Sequence, residues 1–197
     1  MIKGQKTLKI LAGRFKGLCL EMLDRATTRP SKSILKESLF NVLQTDIEGA
    51  VLIEGFGGSG SIGLEAMSRG AKEAIFVEKD PDAYKVLKHN LAKLHQKDES
   101  LQMRCILGDT FEVLPTLLET LNGASVLYLD PPFAIREGME GIYDACFKLV
   151  EAIKNPLVFL IVFEHFATQE MPQRLGRFAL HKQKRFGKSA LSYYVVS

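Results

Sequence analysis

Two short stretches hold residue types whose spacing could do chemistry. The first is Glu54-Gly55-Phe56-Gly57-Gly58-Ser59-Gly60, which follows the apolar run Val51-Leu52-Ile53 and precedes a helical pattern from Leu64. Such an order reads as strand, tight turn and helix, and the turn offers bare backbone and free amides to a ligand. The second is Asp130-Pro131-Pro132-Phe133, at the end of the apolar run Ser125 to Leu129. Paired prolines remove two amide donors, so the Asp130 carboxylate and the Pro131 carbonyl form an acceptor-only pocket suited to an amino group. Phe133 adds a face on which a planar base can stack, worth roughly 1–3 kcal/mol. The plainer alternatives are a tight strand-to-helix connection at the first stretch and a rigid turn at the second.

The glycine loop admits two cofactor classes. Gly58-x-Gly60-x-x-Gly63 matches the dinucleotide fingerprint, and Glu78 stands at about the ~20-residue offset expected of a ribose ligand. Glu54 favours the other class, because a fixed negative charge at the strand end opposes a pyrophosphate and attracts an ammonium group. S-adenosylmethionine carries an ammonium and a sulfonium and no phosphate, so it is the expected cofactor, with nicotinamide chemistry as the alternative. The expected cofactor-binding residues are Glu54, Gly55, Phe56, Gly57, Gly58, Gly60, Glu78, Lys79, Asp109 and Thr110. For Asp109 two roles stand side by side, accepting from an adenine amino group or capping the helix that follows.

The surrounding pattern supplies elements to position these residues. Leu8 to Leu23 reads as two β-runs joined at a glycine-containing turn, and Ser31 or Ser33 caps an amphipathic helix reaching about Gln44. Glu73 to Glu78 and Leu101 to Leu107 are short strands, with helices from Pro81 and from Thr110 to about Leu121. A helix from about Glu137 to Ile153, a buried strand Leu157 to Glu164 and a closing hairpin turning at Gly187 complete a βαβ alternation.

The 197 residues suffice for one sizeable α/β domain with a small extension. The longest apolar run, Pro156 to Phe163, is too short to span a bilayer, and the first residues lack the apolar core of a secretion signal, so a cytoplasmic protein is expected. Cys19, Cys105 and Cys146 are scattered and are expected to be small buried hydrophobes, and four dispersed histidines suggest no metal site. His165 is placed at a strand end near the cleft.

Charge is unevenly distributed. Residues 1–40 hold nine bases against three acids, residues 174–197 hold six bases and no acid, and the stretch between carries 20 acids against 11 bases. Basic ends around an acidic centre suit a polyanion outside and a small cationic ligand within. Arg14, Lys16, Arg29, Lys32 and Lys36 are the expected nucleic-acid-contacting residues, against the alternative of ordinary solvated charges.

With these residues in view, the chain resembles the RsmD-type methyltransferases, which methylate the exocyclic N2 of a guanine in small-subunit ribosomal RNA. The likeness runs through Leu11-Ala-Gly-Arg-Phe-Lys-Gly17, Thr28-Arg-Pro30, Lys36-Glu-Ser-Leu-Phe-Asn41, the Glu54 to Gly60 loop with Gly63 to Arg69, Val77-Glu78, Asp130-Pro-Pro-Phe133 and Ala190-Leu-Ser-Tyr-Tyr194. Asp-Pro-Pro-Phe is shared by many amino-methyltransferases; the N-terminal strings and the closing Ala-Leu-Ser-Tyr-Tyr carry the specificity. Glu54 stands where the family usually has Asp, and Ser33 and Ile34 stand where it has charged residues. The resemblance implies a Rossmann-like class I methyltransferase with a mostly parallel, seven-stranded sheet. Residues 1–45 would form an RNA-contacting hairpin and helix extension, and residues 46–197 the catalytic domain. It implies that no metal is needed, with Asp130, Pro131, Pro132 and Phe133 catalytic and ribosomal RNA or the small ribosomal subunit as partner; a monomer is expected. Methylation of DNA adenine or of protein glutamine would use the same acceptor pocket, whereas a catalytically silent RNA-binding protein would use only the basic ends.

Overall fold

The computed structural model describes residues 7–22, 30–132 and 141–197, with side chains outside 30–32. In chain order it contains β1 (Thr7–Lys9), β2 (Cys19–Glu21), α1 (Pro30–Val42), β3 (Val51–Glu54), α2 (Ser61–Ser68), β4 (Glu73–Glu78) and α3 (Pro81–His95). There follow β5 (Gln102–Leu107), α4 (Thr110–Glu119), β6 (Ser125–Leu129), α5 (Ile142–Glu151), β7 (Val158–Phe166), β8 (Arg174–Leu175), β9 (Phe178–Phe186) and β10 (Ser189–Val196).

β3 to β7 run parallel, β10 lies antiparallel beside β7, and β9, antiparallel to β10, runs in the direction of the first five, in the order β5-β4-β3-β6-β7-β10-β9-β8. The expected seven strands are present, and the two-residue β8 extends the sheet because Leu175 buries itself beside Phe178. After β3 the chain steps outward through β4 to β5, then crosses back to lay β6 on the other side of β3. The crevice at the carboxyl ends of β3 and β6 is thus the switch point at which open parallel sheets bind ligands.

Period-two alternation sorts the core onto two faces. Leu52, Phe76, Val126, Tyr128, Leu160, Val162 and Tyr193 meet α1, α2 and α3, while Ile53, Ile75, Leu127, Leu129, Ile161, Phe163 and Tyr194 meet α4 and α5. Ile10, Leu20, Leu35, Leu39 and Phe40 belong to the first of these clusters, so the N-terminal hairpin and α1 pack directly on the sheet domain.

Helix starts follow local chemistry. The Asp80 carboxylate accepts from the amides of Asp82 and Ala83 with Pro81 at the first turn, and Asp109 accepts from the Phe111 amide at 2.8 Å. α1 begins at Pro30, which places Ser31 and Ser33 inside the helix and excludes both as its cap. Cys146 is buried, but Cys105 is half-buried and Cys19 exposed, because β2 and β5 are sheet edges with one face in solvent. His165 is enclosed within β7 rather than facing the cleft, its ring nitrogens bonded to the Ser192 hydroxyl and the Phe166 carbonyl, each at 2.7 Å. The first residues of the helix expected from 137, up to 140, lie outside the described residues.

Candidate functional site

Four acidic positions converge on the carboxyl edge. Glu54 ends β3 and pairs in register with Phe76 and Tyr128; Glu78 ends β4 level with Leu107; Asp109 and Asp130 follow β5 and β6. The Glu54 carboxylate is buried and accepts from the Gly63 amide at 2.9 Å. Burial pushes its pKa up to about 8, and the negative charge of Asp130 adds to the rise, while the amides of Gly63 and Ile62 and the Lys36 ammonium oppose it. Glu54 therefore fixes the start of α2 and also provides a buried acid that gains from a cationic neighbour.

Glu78 shapes the same loop from the adjacent strand, accepting from the Gly58 amide at 2.6 Å and from the Asp80 amide at 2.7 Å. The glycines divide into two kinds. A Cβ on Gly60 would stand 2.5 Å from Leu87, one on Gly63 2.3 Å from Phe76, and one on Gly55 2.7 Å from Leu129, so these positions permit close packing within the protein. Gly57 likewise faces Leu87 and the Val77 carbonyl at 3.2 Å. Gly58 differs: its φ is +51° and no atom lies within 4 Å of a Cβ built there. Of these loop glycines, Gly58 is thus the one with open space beside it.

The Thr110 side chain is buried and its hydroxyl donates to the Gly55 carbonyl, tying α4 to the loop's backbone. Lys79 and Asp109 bridge the ends of β4 and β5 at 2.7 Å, and the Lys79 ammonium holds the Asp109 carboxyl below its usual range. Asp109 is the N-cap of α4, which settles its structural role and leaves its second oxygen on Lys79. Phe56 is half-buried, edge-on to Phe111 at 6.2 Å.

On the far side of the crevice Asp130 is half-buried, Pro131 buried and Pro132 half-buried. Phe133 lies outside the described residues. Beneath them Tyr128 donates to the buried Glu164 carboxylate, and burial together with the charge of Glu164 holds this phenol protonated. Sequence reading missed Tyr128 and Glu164; strand parity was the available signal, since each lies one pleat period from a core residue of the face that bears Glu54.

The basic residues do not share one surface. Arg14 and Lys16 are exposed on the loop between β1 and β2, where the Arg14 amide bonds the Ser68 carbonyl at 2.7 Å and its side chain pairs with Asp98. Ser68 ends α2 and Asp98 precedes β5, so this loop sits toward the amino edge of the sheet, opposite Asp130. Lys36 is no RNA contact: it is 1% exposed, with its ammonium 3.0 Å from Glu65 and 2.9 Å from the Lys9 carbonyl. The charge excess of residues 1–40 that made it a candidate could not reveal that Glu65 lies inside the fold. Arg29 and the Lys32 side chain lie outside the described residues.

Residues 8–195 match the family described as Conserved hypothetical protein 95. The chain belongs to this family. Its relatives include Ribosomal RNA small subunit methyltransferase D of Haemophilus influenzae, 35% identical over 139 residues that cover 71% of this chain and 70% of that protein. The protein of the same name from Escherichia coli K12 is 28% identical over 97% of this chain and 91% of its own length. The solved structure of the Escherichia coli protein yhhF superposes with a TM-score of 0.76 at 28% identity, covering 98% of this chain and 99% of that one. The family member described here is a class I S-adenosylmethionine-dependent methyltransferase by fold and kinship. Among the described residues no group of three or more His, Cys, Asp or Glu is arranged to hold a metal, and no helix is long and apolar enough to cross a membrane.

Proposed function

We propose that this methyltransferase binds S-adenosylmethionine across the carboxyl ends of β3 and β4 and transfers its methyl group to the N2 amine of a guanine in small-subunit ribosomal RNA. The observation that carries the reading is the adjacency of two acceptor sites on neighbouring strands, Glu54 with the Gly58 loop on β3, and Asp130-Pro131 after β6. The residues present fit the cofactor. Gly58 has open space above a backbone that excludes side chains, and the edge is lined by carboxyl groups, a set that suits an ammonium and disfavours a pyrophosphate.

When bound, the cofactor supplies an electrophilic methyl carbon on a sulfonium. This chain's residues do the rest: Glu54 takes the ammonium, Glu78 the ribose hydroxyls, and Asp130 with the Pro131 carbonyl accepts both hydrogens of the guanine amine. That amine is a weak nucleophile because its lone pair is delocalised into the ring. Two fixed acceptors favour a more pyramidal nitrogen whose lone pair points at the methyl group. The guanine must leave its stack to reach them. Residues 1–45 act as the RNA-contacting extension, with Arg14, Lys16, Arg29 and Lys32 against phosphates. The small-subunit RNA methylated by the named relatives supports RNA over DNA or protein as substrate.

The test is methyl transfer from labelled S-adenosylmethionine to small-subunit RNA, naked and as assembled particle, with the product mapped by mass spectrometry. An N2-methylguanine is expected. Methyl incorporation into DNA adenine or protein glutamine, with none in RNA, overturns the assignment.

A further inference from the structure

Resting on RNA as substrate, we propose that the β9–β10 hairpin is a rigid arm that grips the RNA backbone beside the target nucleotide. Its tip lies on the same edge as Asp130. β7 runs parallel to β6 and ends at Phe166, which pairs with Ser189, and Ser189 pairs in turn with Phe186 across the two-residue turn Gly187-Lys188. Gly187 has φ +62°, the conformation a type II′ hairpin turn requires at its first central residue. Three strand steps separate β6 from β9, roughly 14 Å at about 4.8 Å per step.

This arm carries Lys182, Arg185 and Lys188, all exposed and none in an ion pair among the described residues. Elsewhere in the sheet domain Arg69, Lys79, Lys93 and Arg104 are paired with Glu65, Asp109, Glu21 and Glu73, whereas Lys72, Lys88, Lys97, Lys148 and Lys154 are in no ion pair among the described residues, so what sets the arm apart is the lack of acids around its bases. From 174 to 197 the chain holds no acid at all. Lys182 lies on the α1 face of β9 and Arg185 on the other, so with Lys188 at the turn the bases flank the arm on both sides, without internal partners and beside an acidic crevice, a place for an external polyanion.

The arm is also preorganised. β10 is buried from Ala190 to Tyr194 between β7 and β9, and the Lys184 ammonium bonds the Ser38 hydroxyl of α1 at 3.3 Å. Phosphates meeting it therefore pay little ordering cost. The Arg14 loop, at the opposite edge, cannot serve this role next to the reacting base.

The competing explanation is that these bases merely guard an edge strand, since β8 covers only Phe178 and Ala179 of β9. Combined Lys182→Gln, Arg185→Gln and Lys188→Gln substitution separates the two. The expected result is a fall of about 2–2.7 in the slope of log RNA affinity against log salt, at about 0.7–0.9 per contact. KM for RNA should rise at least about tenfold, with kcat at saturating RNA and S-adenosylmethionine affinity unchanged. Each single variant should remove about a third of the slope change, which guards against a misfolded triple variant. A wild-type slope, or self-association as the only change, overturns the proposal. If the wild type binds RNA through these residues yet methylates none, the arm stands and the substrate reading fails. An unchanged slope beside intact RNA methylation removes the arm alone.

Discussion

The Lys36 ammonium lies 3.0 Å from the Glu65 carboxylate with both side chains inside the protein. Glu65 also accepts from the amides of Leu11 and Ala12, at 2.8 and 3.0 Å, and from Arg69 at 2.8 Å. One carboxylate thus fastens the β1–β2 loop and α1 to the helix that starts at the glycine turn. Removing one partner of a buried pair typically costs about 3–5 kcal/mol. Lys36→Met should lower the unfolding free energy measured by urea denaturation by an amount near the lower end of that range, since Glu65 retains three donors, and Glu65→Ala should cost more. In contrast to a surface lysine, Lys36→Met should leave the salt slope of RNA binding unchanged; a slope smaller by a full contact would return Lys36 to the RNA interface.

Glu54 gives the protein a pH dependence of definite sign. With its carboxyl raised from 4.5 to about 8 by burial, the folded state keeps a proton that the unfolded chain has lost over that interval. Stability is full below about 4.5, falls as pH rises, and the loss is complete above about 8, with a slope of at most about 1.4 kcal/mol per pH unit. Glu54→Gln should flatten this component when unfolding midpoints of the two proteins are compared across pH 5.5 to 8. An ammonium docked on Glu54 favours the ionised form, so S-adenosylmethionine binding at pH 7 should release up to about one proton, read as a dependence of calorimetric enthalpy on buffer ionisation. No proton release, with binding intact, would place the ammonium elsewhere.

Gly58 and Gly60 should respond differently to alanine. Gly58→Ala introduces a side chain into open space at positive φ, a backbone cost of about 1–2 kcal/mol, and obstructs cofactor approach. Gly60→Ala carries a similar backbone cost and also pushes on Leu87 at 2.5 Å. Thermal unfolding should therefore rank Gly60→Ala as the less stable, while cofactor titration of the folded fraction should rank Gly58→Ala as the weaker binder. Equal cofactor affinities would mean that the open side of Gly58 does not face the ligand.

Asp130 is expected to matter most in the chemical step. Interactions that strengthen in the transition state govern kcat, and losing one preorganised partner typically costs about 10²–10³ in rate. Asp130→Asn keeps one carbonyl acceptor and should retain partial activity, whereas Asp130→Ala keeps none. Single-turnover methyl transfer at saturating cofactor and RNA should therefore rank wild type above Asn and Asn above Ala. Wild-type transfer by the alanine variant would move the chemistry away from this motif.

By itself the sequence determined what local patterns can carry. The alternation of short apolar runs with helical periods specified a parallel α/β sheet, and the acids that end the runs at Glu54, Glu78 and Asp130 pointed to the carboxyl edge. Pro81, Asp109 and Gly187 marked two helix starts and a hairpin because capping and turn geometry depend on only a few neighbouring residues. What spacing does not encode is which side chains meet across the chain. The meeting of Lys36 with Glu65, 29 positions apart in the chain, the closeness of Leu87 to Gly60, and the placing of Arg14 at the edge opposite Asp130 were decided only when the sheet brought distant elements together. A buried charge and a solvated one share the same letter, and burial is a property of the packed fold.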